Sequence, residues 1–172
     1  MEKKNLTLEL NDVKLVKRNF RGEALPMNER GDRTCLIVLD HVLAKSLGFD
    51  SVKDLVDILQ ADEWKVGWFK QVDEETEQEA FLPVKAVYGE KRKPNIYVKT
   101  GKKSQLMNED TVSSIDYADI SKVDVILRLH YWEYNGRTGY NNYIQSMEVT
   151  VVEDAISARN SSYEIEEEEP FN

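Results

Sequence analysis

The chain holds a single cysteine, Cys35, among 172 residues. An intrachain disulfide is therefore excluded, and a reducing cytoplasm is the expected compartment. No stretch approaches the roughly 18 consecutive apolar residues of a membrane helix, so no membrane partner is expected. After Met1-Glu2-Lys3-Lys4 come alternating leucines and polar residues, not the continuous apolar run of a signal peptide. Secretion is not expected, and Asn5-Leu6-Thr7 and Asn160-Ser161-Ser162 read as chance matches to a glycosylation triplet. Soft metal ligands are scarce: Cys35, His41 and His130 are too few and too scattered for a zinc site. No metal and no cofactor is expected.

Enzyme motifs are equally thin. Thr100-Gly101-Lys102-Lys103-Ser104 resembles a phosphate loop, but Ile96 stands where its first glycine belongs and Lys103 replaces the magnesium-holding hydroxyl. Asp110, Asp116, Asp119 and Asp124 suit a nuclease-like magnesium site in type, yet caps and turns explain them more cheaply. No catalytic residue is assigned, and the chain reads as non-enzymatic.

The net charge of −9 argues at first against nucleic acid, since phosphate wants lysine and arginine. Its distribution argues otherwise. Residues 154–172 carry six acids and one base, a net of −5, which leaves the body at −4. Within that body, Val84 to Lys103 holds seven Lys or Arg against one Glu, a local net of +6.

Leu6, Leu8 and Leu10 alternate as a half-buried strand requires. A polar loop with Gly and Pro follows from Asn19 to Asp32. Arg33 to Leu39 reads as a central strand. Asp40 is placed to cap a short helix to Leu47 with Gly48 as its stop, and Ser51 to open a second with Leu55, Ile58 and Leu59 on one face. A strand is expected from Trp64 to Gln71, then a solvated acidic loop from Asp73 to Glu79. Strands resume at Phe81–Tyr88 and Asn95–Thr100, joined by a basic turn from Gly89 to Pro94. A short helix is expected from Thr111 to Tyr117, capped by Asn108 or Asp110. Two long strands close the pattern, Lys122–Tyr134 and Tyr140–Val152, joined through Asn135-Gly136, the strongest short hairpin signal. The expected fold is mainly β: a small closed or nearly closed barrel of oligonucleotide-binding type with one or two short helices. Pattern alone does not separate it from a sandwich. The domain spans 1–153 and an acidic tail 154–172.

Alternation along the first long strand sorts two faces. Val123, Val125, Leu127, Leu129 and Tyr131 form a core face. Asp124, Ile126, Arg128, His130, Trp132 and Tyr134 form the other, mixing cations with flat rings over about 20 Å of strand. With a two-residue turn, Arg137, Asn141, Tyr143 and Gln145 join that face; a longer loop ending at Gly139 would change the partners. Rings that stack on unpaired bases contribute about 1–3 kcal/mol per base, while cations follow the phosphates. Ordinary strand aromatics packed under a loop are the plain alternative. Lys85, Lys91, Arg92, Lys93, Lys99, Lys102 and Lys103, interleaved with Tyr88 and Tyr97, add a basic stripe whose plain alternative is a solvated surface. Arg18, Arg21, Arg30 and Arg33 form a weaker group. Some five such contacts would give log K against log[salt] a slope of about −3.5.

The tail ends Glu166-Glu167-Glu168-Glu169-Pro170-Phe171-Asn172. It suits a solubilising role, or a phosphate mimic over Glu164 to Glu169 that lies in the basic groove until DNA displaces it. On the second reading Phe171 anchors in a partner's apolar pocket.

These residues together resemble the single-stranded DNA-binding proteins of tailed bacteriophages. The resemblance is clearest in the strand Val123–Leu129, the aromatic run His130-Tyr131-Trp132-Glu133-Tyr134, the glycine-containing turn, and the return strand Ser146-Met147-Glu148-Val149-Thr150-Val151. The acidic tail with a near-terminal Phe follows, and Tyr97-Val98-Lys99-Thr100-Gly101-Lys102-Lys103 is similar to the family's strand and basic loop. The resemblance implies an oligonucleotide-binding barrel that holds single-stranded DNA in replication or recombination, without strong sequence preference. It also implies that the tail contacts replication or recombination proteins, and that a homodimer is open to the chain. One departure is that Asn172 follows the Phe that usually ends such tails. The competing reading is a protein-interaction or virion-assembly module without DNA binding.

Overall fold

Asn135 and Gly136 both take positive φ, 48° and 74°, the backbone that a two-residue hairpin turn demands. In the computed structural model, which describes residues 4–24, 31–89 and 92–152, this turn joins the two longest strands. Strand β8 (Ile120–Tyr134) pairs antiparallel with β9 (Arg137–Val151), in a register that sets Tyr134 opposite Arg137. The turn is thus the shorter of the two alternatives. A register shift opposite Ile126 and Leu127 leaves Gln145 as the extra residue on β9.

Before this hairpin come β1 (Thr7–Leu10), β2 (Leu15–Asn19), β3 (Arg33–Leu39), α1 (His41–Ser46) and α2 (Val52–Ala61). They are followed by β4 (Gly67–Trp68), β5 (Ala80–Ala86), β6 (Asn95–Thr100), β7 (Lys103–Met107) and a 3-10 helix (Val112–Tyr117). The nine strands form one sheet whose main path runs β1-β8-β9-β5-β3-β2. Strand β9 is flanked on one edge by β8 and paired in parallel with both β5 and β6, through Lys85–Tyr143 and through Asn95–Ser146 onward.

The mainly β architecture is as expected, but the closed barrel is not found. β1 and β2 are the two ends of the path and do not pair with each other among the described residues. They belong to one run of chain that turns at Asp12, with φ 53°. Around that turn, single hydrogen bonds tie the run to its two neighbours, Val13 N–H to Val123 O of β8 and Val38 N–H of β3 to Lys14 O, each 2.9 Å.

Both helices begin where their caps predict. Asp40 accepts from the Leu43 amide and Ser51 from the Asp54 amide. Helix α2 buries Val52, Leu55, Val56 and Leu59, each burial contributing about 1.5–3 kcal/mol. They join Leu10, Phe20, Ile37, Leu82, Ile96, Leu127 and Met147 in one core.

Two local expectations need correction, and two pairings were not anticipated. The strand expected over Trp64–Gln71 is only β4, because buried Trp64 and the Lys65 backbone are tied elsewhere. The acidic loop is not merely solvated: Glu77 accepts from the Val52 amide at the start of α2 and from His41. β5 and β6 do not pair with each other; each lies against β9. β7, which was not foreseen, pairs with β6 through a tight turn at Gly101-Lys102.

Candidate nucleic-acid interface

The core side of β8 follows its alternation as far as Leu129, while Tyr131, expected with it, is only half-buried. Val123, Val125, Leu127 and Leu129 are buried, while Asp124, Ile126, Arg128, His130 and Trp132 on the opposite face are half-buried. Register fixes what stands beside them: Tyr143 opposite Arg128, Asn141 opposite His130, Gly139 opposite Trp132 and Arg137 opposite Tyr134. Lys85 of β5 pairs with Tyr143, and Thr7 of β1 with Arg128. One row therefore crosses three neighbouring strands with arginine, tyrosine and lysine in turn.

The centre of this face is a stack. The His130 and Tyr143 rings lie 4.3 Å apart and 7° from parallel. The Arg128 guanidinium sits 4.8 Å from the centroid of the same tyrosine ring, within cation–π range. Partial burial, then the like charges of Arg128 and Arg92, hold His130 below its ordinary 6.5. Burial and Arg92 likewise lower Arg128. Arg92, from the β5–β6 loop, thus contributes to the field at the stack although it lies far from the hairpin in sequence. Trp132 lies against Gly139: a Cβ there would stand 2.7 Å from Trp132 Cζ2. Tyr134, at the tip, is 72% exposed.

The basic stripe does not stay together. Lys93 lines a groove with Tyr88, Asn95 and Leu106. Lys99 pairs with Thr150, seven residues along β9 from Tyr143, and Lys102 and Lys103 sit at the β6–β7 turn beyond it. Two of the lysines are also ion-paired, Lys85 with Asp32 at 3.4 Å and Lys99 with Glu148 at 3.3 Å. Tyr97 is exposed, but it shares its row with Glu148 and Asp124, poor neighbours for phosphate. Lys91, Arg30 and the tail residues Glu166, Glu167, Glu168, Glu169 and Phe171 lie outside the described residues.

The weaker arginine group is largely structural. Arg18 donates to the Ile115 and Ala118 carbonyls, and Arg21 to Glu23 and Asp116. Asp116 also accepts from the Phe20 and Arg21 amides, which accounts for it without a metal. Among the described residues no three His, Cys, Asp or Glu side chains are placed to hold a metal ion, and no helix is long and apolar enough to cross a membrane.

Sequence reasoning missed Lys65 and Asn142. Asn142 is buried on the core side of β9, where its amide takes the Lys65 N–H, at 3.0 Å, and donates to the Lys65 and Pro83 carbonyls. This fixes the Lys65 backbone so that its ammonium donates to Asn141, opposite His130, at 2.7 Å. A signal existed: an asparagine at an inward position between Tyr140 and Ile144 needs buried partners.

Comparison with known proteins gives three results. A family model for a phage ssDNA-binding domain matches residues 1–169. No curated protein matches by sequence. Among solved structures, the single-stranded DNA-binding protein from bacteriophage Enc34 is similar with a TM-score of 0.51 and 10% identity, over 86% of this chain and 82% of that one. The same protein in complex with ssDNA gives 0.52 and 10%, over 86% and 88%. The gp2.5 single-stranded DNA-binding protein encoded by bacteriophage T7 gives 0.39 and 13%, over 88% of each chain.

Proposed function

The chain belongs to the phage single-stranded DNA-binding family, and from that premise we propose that it binds and protects unpaired DNA on the outer face of the β8–β9 hairpin. The observation that carries the site is the His130–Tyr143–Arg128 stack. Flat rings set among cations match an unpaired strand, whose bases can stack while its phosphates meet positive charge. A duplex hides its base faces and would leave the rings unused. Trp132, Tyr134 and Arg137 extend the path toward the hairpin tip. Lys65, Lys85, Arg92 and Lys93 supply charge along its flanks. Lys102 and Lys103 belong to its periphery, and Lys99 and Tyr97 reach DNA only against nearby acids.

Binding of this kind is tolerant of sequence and suits DNA exposed during phage replication or recombination in the host cytoplasm. The fold of the Enc34 protein bound to ssDNA supports the reading, since this chain shares that fold. Residues 154–172 act as a separate acidic tail, with Glu166–Glu169 and Phe171 meeting replication proteins, and a homodimer is compatible with the exposed edge of β7. No catalytic step is assigned.

The test is a titration with fluorescent oligo-dT at two salt concentrations, with matched duplex as control and tryptophan fluorescence as a second signal. Tight, salt-sensitive binding to the single strand is expected, with a log–log salt slope of about −3.5 and quenching that disappears in Trp132→Ala. No binding at low salt, with or without the tail, ends the DNA reading and leaves a protein-interaction module in its place.

A further inference from the structure

A buried amide side chain has to find partners for both its ends, and Asn142 finds them in the backbone of a distant segment. Its Oδ1 takes the Lys65 N–H at 3.0 Å, and its Nδ2 donates to the Lys65 and Pro83 carbonyls at 2.9 and 3.0 Å. One side chain therefore holds both backbone polar groups of Lys65, as a neighbouring strand would. Trp64, the residue before, is buried as well. The Cα of Lys65 is thus fixed against β9, just ahead of β4, although the residue itself is exposed.

From that anchor the side chain reaches the outer face of the hairpin, where its ammonium donates to Asn141 Oδ1 at 2.7 Å. An ammonium has three donors and no acceptor, so the amide oxygen has to face it and Asn141 Nδ2 is turned away. Two N–H groups of Lys65 and both of Asn141 Nδ2 are then left without a protein acceptor among the described residues. Lys85 and Lys99 are paired with Asp32 and Glu148, whereas Lys65 has no carboxylate partner among the described residues. Asn141 stands opposite His130, whose ring is stacked on Tyr143. A positive charge and an amide, both with donors to spare, therefore converge beside the stack.

Donors alone, with a net positive charge, call for an anion rich in acceptor oxygens. We propose that Lys65 Nζ and Asn141 Nδ2 together form a subsite for one backbone phosphate of the unpaired strand, next to His130. This inference rests on the single-stranded DNA reading and gives that face a fixed phosphate position. Because Asn142 and Asn141 already hold the lysine, it loses less freedom on binding than an untethered one would.

The test is oligo-dT binding over a salt series for Lys65→Gln, Asn141→Ala and the double variant. Lys53→Gln, which removes the same charge from the first turn of α2, is the control. Lys65→Gln is expected to raise Kd about three- to tenfold and to make the log–log salt slope shallower by about 0.7, the share of one phosphate on a single strand. Asn141→Ala is expected to raise Kd about two- to fivefold with the slope kept, since it removes a donor and no charge. In the double variant the loss is expected to fall short of the product of the two, because the groups share one ligand. A base carbonyl as the acceptor would release no counterion, so an unaltered slope in Lys65→Gln overturns the proposal. An equal slope change in Lys53→Gln, an unaltered Kd in Asn141→Ala, or a full product of losses in the double variant overturns it too. If the unaltered protein fails to bind oligo-dT, it is the DNA reading that falls, a result distinct from all of these.

Discussion

His130 is the residue whose surroundings have the most direct consequence in solution. Partial burial comes first, then the like charges of Arg128 and Arg92, and together they disfavour its imidazolium and hold its pKa below the ordinary 6.5. The unfolded chain therefore binds more protons than the folded one just below that value. Stability tied to the neutral ring is full above about pH 6.5 and is lost as the pH falls toward the lowered pKa. His130→Asn is expected to flatten the dependence of Tm on pH in that window. In an NMR titration, Arg128→Gln is expected to raise the His130 pKa; an unmoved pKa would remove Arg128 as a cause. Other single residues show why the site was only partly legible. Lys85 and Lys99 are cations in any composition, but their ion pairs with Asp32 and Glu148 join residues far apart in sequence. Cys35, read as compatible with a reducing compartment, is buried in the core with its thiol pKa pushed far up by burial, so it is not a reactive group.

Among the elements, the β8–β9 hairpin was readable because its determinants are local. Alternation chooses the face, and Asn135-Gly136 chooses the turn. Gly139 has a separate role, giving the Trp132 ring room to lie against the strand. Gly139→Ala is expected to push that ring off the sheet, weakening oligo-dT binding a few-fold and reducing DNA-induced tryptophan quenching. Gly136→Ala, at φ 74°, is expected instead to cost stability, about 1–2 kcal/mol in chemical denaturation, with quenching retained. Equal loss of quenching in both variants would count against the Gly139 contact. The helices were equally legible, since Asp40 and Ser51 cap within three residues. β7 was not, and β4 was expected to be longer. β4 keeps two residues of the strand expected over Trp64–Gln71, and β7 is mostly exposed; the extent of each depends on the neighbour that pairs with it, which no local pattern records.

For the whole molecule, the issue is where charge of each sign ends up. A chain with net charge −9 binds a polyanion only if its acids and bases are kept apart, and six of its acids lie in residues 154–172. If Glu164 to Glu169 compete with DNA for the cations of the face, deleting residues 164–172 is expected to tighten oligo-dT binding, most clearly at low salt where the Debye length is long. Unchanged or weaker binding by the truncated protein would rule out the competing tail. The body itself is not uniformly basic. Arg92 and Lys93 stand near the stack and its groove, whereas Lys99, Lys102 and Lys103 lie toward the other end of β9, past a row holding Asp124 and Glu148.

By itself the sequence determined the long hairpin, the two capped helices, the outward set Arg128, His130, Trp132 and Tyr134, and the segregation of acid into the tail. Each depends on a period, a cap or a turn, and such signals act within a few residues. Tertiary structure alone decided that the sheet stays open between β1 and β2 and that β5 and β6 share one edge of β9. It also decided that Asn142 fixes Lys65 beside Asn141. Those outcomes depend on which distant strands meet and in what register, and the energy that selects them, burial of one common core, belongs to the whole chain rather than to any segment of it.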